Sequence, residues 1–185
     1  MNIESLVSKK DDEITIREGE PEDAAMIAYF SRKTFLESYG SHNKKRNIEK
    51  FLQLHFSVND LVSEVSRRHI TILLAYRTGV LLGYGVIREA QNPPEINSVL
   101  RGMELSRLYV DSTFKGTGVG NALMKECISE ARLKEKEILW LSLWNENEQA
   151  IDFYTKWGFK KCGSKIFIFG EETHVDWIMK KDLQF

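Results

Sequence analysis

The chain has 185 residues, enough to take roughly 70% of its unfolded surface out of water, and reads as one domain over 1–185 with 1–12 as a flexible leading segment. Its 26 Lys and Arg balance 27 Asp and Glu for a net charge of −1, which leaves no basic footprint for nucleic acid and no cationic face for an anionic membrane. Two cysteines, Cys127 and Cys162, lack any CxxC spacing, and His42, His55, His69 and His174 lack metal-ligand spacing, so neither a disulfide framework nor a metal is expected.

The charged start MNIESLVSKKDDE has no apolar centre of the signal-peptide kind, and the longest apolar run, 80–87, is far below the ~20 residues of a membrane span. A cytoplasmic protein is expected, and a homodimer is compatible with the sequence.

ITIRE at 14–18 alternates like an edge strand, and Pro21 then opens a helix carrying Ala24, Ile27, Ala28 and Phe35 at helical spacing. Helical patterns follow at 44–56 and 59–68. Residues 70–89 hold two strands around a Thr78-Gly79 turn, and 90–101 is a polar loop with the pair Pro93-Pro94. A strand at 104–110 leads through glycines into a helix at 118–134, then into the strand 137–144, apolar on both faces and therefore central. Ala150, Phe153, Tyr154 and Trp157 mark a short helix with Asn145 or Asn147 as N-cap and Gly158 as its stop. Strands at 159–169 and 174–179 turn around Gly170. The expected fold is α/β (α+β): a mixed, mostly antiparallel sheet of about seven strands with helices on both faces.

FKGTGVGNALM at 114–124 sets glycines at 116, 118 and 120 where a strand turns into a helix. Such a turn points backbone N–H groups outward, and glycines let a phosphate approach without meeting a Cβ. The spacing is wrong for a P-loop, because Asn121-Ala122 stands where Lys and Ser or Thr are needed. It is also wrong for the dinucleotide fingerprint, which needs glycine at 121 or 123. A tight turn without a ligand remains an alternative at this level.

LYVDSTFKGTGVGNALM resembles the acetyl-CoA loop of the GNAT N-acetyltransferase superfamily, whose motif is Arg or Gln, two residues, Gly, one residue, then Gly or Ala. Here it runs Lys115, Gly118, Gly120, with a lysine that keeps the charge but lacks the planar fork of arginine. NEQAIDFYTKWGF at 147–159 resembles the family's closing signature Asn-x-x-Ala-x-x-Phe-Tyr-x-x-x-Gly-Phe at every position. The resemblance implies that the pyrophosphate of acetyl-CoA sits on Lys115, Gly116, Thr117, Gly118, Val119 and Gly120. It implies further that the pantetheine runs beside Leu108, Tyr109 and Val110 and meets Asn147 and Tyr154. A weaker likeness to the bacterial polyamine-acetylating branch rests on general texture.

Acetyl transfer to an amine needs a base, an oxyanion donor and an acid for the leaving thiolate. Glu104, at the start of the cofactor strand, would share a face with Ser106 and Leu108 in regular alternation and is the candidate base, against an ordinary solvated glutamate. A backbone N–H near residues 108–110 is the candidate oxyanion donor. The resemblance makes Tyr154 the acid, where helical spacing alone would allow a core aromatic. Glu37, Tyr39 and the segment GSHNKKRN would line the site of a small-molecule amine. A polyamine would call on Glu18, Glu20, Glu22 and Glu37. Two alternatives stay open: acetylation of a protein N-terminus or lysine, and an acyl-CoA-binding regulator without turnover.

Overall fold

The computed structural model describes residues 13–40 and 43–183. The leading segment 1–12 and the pair Ser41-His42 of the expected acceptor-lining segment lie outside the described residues.

Seven strands form one sheet: β1 (Thr15–Glu18), β2 (Ile70–Arg77), β3 (Val80–Arg88), β4 (Gly102–Val110), β5 (Ile138–Trp144), β6 (Lys160–Phe169) and β7 (Glu172–Asp182), in the order β1-β2-β3-β4-β5-β7-β6. Neighbours are antiparallel except β4 and β5, which run parallel. The helices are α1 (Ala24–Tyr39), α2 (Lys45–His55), α3 (Val58–Val65), α4 (Val119–Leu133) and α5 (Glu148–Lys156).

The face each helix covers follows from its apolar spacing. The α4 residues Val119, Leu123, Met124, Cys127 and Ala131 bury one stripe against Leu82, Met103, Leu105 and Leu141, and α5 joins that layer through Ala150, Phe153 and Trp157. Across the sheet, Ala24, Ile27, Ala28 and Phe30 of α1 pack on Ile72, Leu74, Tyr84 and Val86, where Ser31 and the Tyr84 hydroxyl share a buried 2.7 Å hydrogen bond. The α2 helix closes a third cluster, Phe35, Ile48, Phe56 and Phe169, against the β6–β7 hairpin.

Regular alternation fails in β4. Ile87 pairs with Leu105 but Val86 pairs with Arg107, so Ser106 is an extra, bulged residue. Met103 and Leu105 face α4 before the bulge, and Leu108 and Val110 face it afterwards. Glu104 therefore lies on the sheet face opposite Leu108, which corrects the expectation that the two share a face.

Asp111, just beyond β4, accepts the Thr113 N–H and a 2.6 Å bond from Lys33 of α1. The Lys33 bond is the main reason its carboxyl falls from the usual 3.8 to about 2. A depressed carboxyl adds stability that is complete above its unfolded pKa and vanishes as pH drops through the folded one. Asp111→Asn should remove on the order of 1–2 kcal/mol at neutral pH, and urea titrations between pH 4 and 2 should show a shallower loss of stability than in the wild type.

Candidate active site

The parallel pairing of β4 with β5 extends only from Gly102–Ile138 to Glu104–Trp140. Beyond that the strands part. The Asp111 N–H donates to the Leu82 carbonyl of the β3 side at 2.9 Å, so by strand alternation the polar backbone groups of Tyr109 and Arg107 also point toward β3. Those of Leu108 and Val110 point into the gap.

The gap is a cleft of about 500 Å³, walled by 105–110 of β4, 141–143 of β5, the glycine loop, the start of α5 and the end of α1. Its floor at one end is the turn into α4. Gly116 and Gly118 have φ of 79° and 93°, and a Cβ on either would meet no atom within 4 Å. Both facts favour glycine: the backbone is left-handed and the space beside it is open. Gly120 is different, since it has ordinary helical φ and abuts Phe153. The N–H groups of Val119, Gly120 and Asn121 open α4, where no intrahelical carbonyl reaches them, and the helix dipole adds positive potential. Lys115 lines the same end, its Nζ 3.5 Å from Gln149 of α5.

Asn147 caps α5 by accepting the Ala150 N–H at 3.2 Å, and its side chain also lines the cleft. Tyr154 projects from the same helix into the cleft, between Phe153 and Phe159. Burial, with the neighbouring Tyr39 and Cys127, pushes its hydroxyl above the ordinary tyrosine value, so it is protonated at neutral pH. Trp157 donates to Asn121 at 3.0 Å and fastens α5 to the first turn of α4. Glu37 and Tyr39 also line the cleft.

Four expectations change. Tyr109 still lines the cleft, but its ring packs edge-on against Tyr84 on the α1 side of the sheet, and it is Leu108 and Val110 that carry the backbone groups facing the gap. Thr117 turns both its hydroxyl and its N–H back to the Phe114 carbonyl, and the Val119 side chain is in the core, so of the two only Val119 can contribute to the cleft, through its N–H. Glu18, Glu20 and Glu22 lie away from it, leaving Glu37 as the carboxylate among the described lining residues.

Glu104 is the fourth. It is 6% exposed, does not line the cleft, and pairs with Arg88 at 2.5 Å. Glu104→Gln should therefore lower Tm by a few degrees, from about 1–2 kcal/mol lost with the half-exposed Arg88, and leave the shape of the pH–rate profile unchanged. A profile that loses its acidic limb would restore Glu104 as the base.

Sequence reasoning missed Arg107 and a second cavity. Arg107 is held beneath Phe56 and paired with Glu64, with Nη1 buried and unpartnered among the described residues. The second cavity, about 160 Å³, opens beside the cleft and shares Tyr39, Tyr109, Ser142 and Leu143 with it. His174 and Asp176 line it, and the alternation of THVDW does place both on one face of β7. Among the described residues, no three His, Cys, Asp or Glu side chains gather as a metal site requires, and no helix is long and apolar enough to cross a membrane.

The family model described as acetyltransferase (GNAT) matches residues 27–159. A Lactobacillus delbrueckii subsp. lactis protein named as an uncharacterized N-acetyltransferase in the pepI 3' region is 28% identical over 155 residues, covering 83% of this chain and 88% of its own. The crystal structure of PaiA N-acetyltransferase from Thermoplasma acidophilum in complex with coenzyme A superposes with a TM-score of 0.76 at 23% identity, over 92% of this chain and 99% of that one. The structure of yncA from Salmonella typhimurium with acetyl-CoA gives a TM-score of 0.71 at 18% identity, over 94% and 96%.

Proposed function

The chain belongs to the acetyltransferase (GNAT) family and is an N-acetyltransferase, and from that premise we propose that it moves the acetyl group of acetyl-CoA to the primary amine of a small molecule within one catalytic unit. The observation that carries this reading is the parted β4 edge. Its free backbone groups at Leu108 and Val110 lead straight to the glycine turn, as a ligand with an amide-bearing arm and a pyrophosphate requires. Both structures compared above hold coenzyme A or acetyl-CoA. The two free thiols, Cys127 buried and Cys162 partly so, fit a reducing cytoplasm.

The residues present suit that ligand. Val119, Gly120 and Asn121 would bind the pyrophosphate by their N–H groups, with Lys115 supplying charge. Asn147 and the β4 edge would hold the arm. When bound, the thioester supplies the acyl carbon and a thiolate leaving group. The amine nitrogen bonds to that carbon as the C–S bond breaks; the amine gives up one proton and the sulfur gains one.

A backbone N–H of the β4 edge would donate to the oxygen that gains charge. Tyr154 would donate a hydrogen bond to the sulfur. Its raised pKa makes complete proton transfer to a thiolate of pKa ~8.5 uphill, so the hydroxyl acts mainly by stabilising the departing charge. Glu104 serves the sheet in this reading, through Arg88.

Calorimetry with coenzyme A, followed by thiol release from acetyl-CoA across a panel of amines, tests the proposal. Binding without amine-dependent thiol release would sink it.

A further inference from the structure

The cavity beside the cleft has walls of unusual composition. Phe51, Phe167 and Phe169 close its far end, with Phe51 and Phe169 centroids 5.2 Å apart. Tyr39 lines both the cavity and the cleft, and Trp144 stands 6.3 Å from it in the cavity wall. His174 lies between the groups, 5.7 Å from Trp144 and 6.3 Å from Phe169. Asp176 is the register partner of Trp144 on β7, one position past Leu143, which lines both the cavity and the cleft, whereas Phe167 and Phe169 pair with His174 and Glu172 farther along. The carboxylate is thus at the end nearer the cleft and the phenyl rings at the other.

Two polar atoms in these walls lack partners. His174 Nε2 and Asn43 Oδ1 are both buried with no hydrogen bond among the described residues. Both residues line the cavity, and an unmade buried hydrogen bond costs about 1–3 kcal/mol. A primary ammonium is a hydrogen-bond donor only, and the Asp176 carboxylate in the cavity wall is the charged acceptor it would pair with. Burial holds the Asp176 carboxyl above its ordinary pKa even with Lys165 and His174 nearby, and a cation beside it would reverse that.

We infer that the acceptor is a monoamine on a compact ring-bearing body, seated with its ring among Phe51, Phe167 and Phe169 and its nitrogen at the Asp176 end, beside the cleft. This deepens the acetyltransferase reading and rests on it. About 160 Å³ has the volume of only ~5 water molecules, which suits a phenyl-sized body. A polyamine would need a second carboxylate for its distal charge, and Asp176 is the one carboxylate among the described lining residues of this cavity. Aromatic faces also attract the ammonium as it enters.

The test uses the full chain and 2-phenylethylamine, with spermidine and a lysine-containing peptide as rivals. Acetyl-CoA affinity is measured first by calorimetry; its absence would overturn the acetyltransferase reading itself. With acetyl-CoA bound, kcat/KM for 2-phenylethylamine should exceed that for spermidine and the peptide by about tenfold or more, the scale of one well-matched apolar group. A higher value for either rival overturns the inference and leaves the parent reading standing.

A direct readout accompanies the rates. Saturation transfer from the protein to the ring protons of 2-phenylethylamine, titrated in the presence of coenzyme A, should report binding. Asp176→Asn should weaken it about tenfold, as loss of one charge-assisted hydrogen bond does, while leaving the affinity for neutral 2-phenylethanol unchanged. No saturation transfer in the wild type, or equal loss for both ligands, overturns the inference.

Discussion

Gly118→Val should lower the affinity for coenzyme A by about 10²-fold or more. Two effects combine. At φ 93° a β-branched residue is strained, which pulls the turn out of shape. Its side chain would also enter the open space beside the α4 N–H groups. The circular dichroism and core packing should persist, but the turn itself will not be neutral to the change, and two further variants separate the causes. Gly79, in the β2–β3 turn, also has left-handed φ and open space, and does not line the cleft. Gly79→Val should strain the chain and leave coenzyme A affinity intact. Gly118→Asn tolerates the left-handed backbone yet still fills the anion's approach, so it should lose about tenfold in affinity. Calorimetry that gives wild-type affinity for Gly118→Val would remove the loop as the pyrophosphate site.

Tyr154→Phe should lower kcat by between about 10- and 10²-fold, with little change in Tm or coenzyme A affinity. The range follows from one hydrogen bond to a developing anion, about 1.5–3 kcal/mol, at 1.4 kcal/mol per tenfold. The phenyl ring keeps its edge contacts with Phe153 and Phe159, so packing is preserved and only the donor goes. Because the thiolate can also leave unassisted, a total loss of activity is not expected. If Tyr154 were only a core ring, kcat would stay within about twofold. Rates at saturating acetyl-CoA, with Tm measured on both proteins, decide between the two.

What could be read from the sequence was local in the chain. The glycine turn and the Asn147-to-Phe159 segment each lie in one short window of the chain, so spacing exposed the turn into α4 and a cap at Asn145 or Asn147, of which the structure uses Asn147, while the role of Tyr154 came from the family resemblance. The element order followed from apolar periods, with errors of a few residues where strands lengthen, as β7 does to Glu172–Asp182. Glu104 was placed on the wrong face because one bulged residue, Ser106, inverts every later position of β4, and a register slip leaves no mark in composition. The aromatic cavity was hidden for another reason. Its walls come from α1, α2, β4, β5, β6 and β7, so no window of the chain contains it, and His174 and Trp144 each look like ordinary core residues alone.

The parting of β4 from β5 also has a signature in amide exchange. Although β4 is the middle strand of seven, half of its amides beyond the bulge lack a ladder partner. The Tyr109 N–H is tied to β3 and should exchange only through larger openings, while its neighbours at Leu108 and Val110 should exchange orders of magnitude faster from the folded state. Deuterium uptake along this one strand should therefore alternate residue by residue. Strand edges this open normally invite other chains, but here the α1 and α5 walls keep it indoors, accessible to a slender ligand and closed to another sheet.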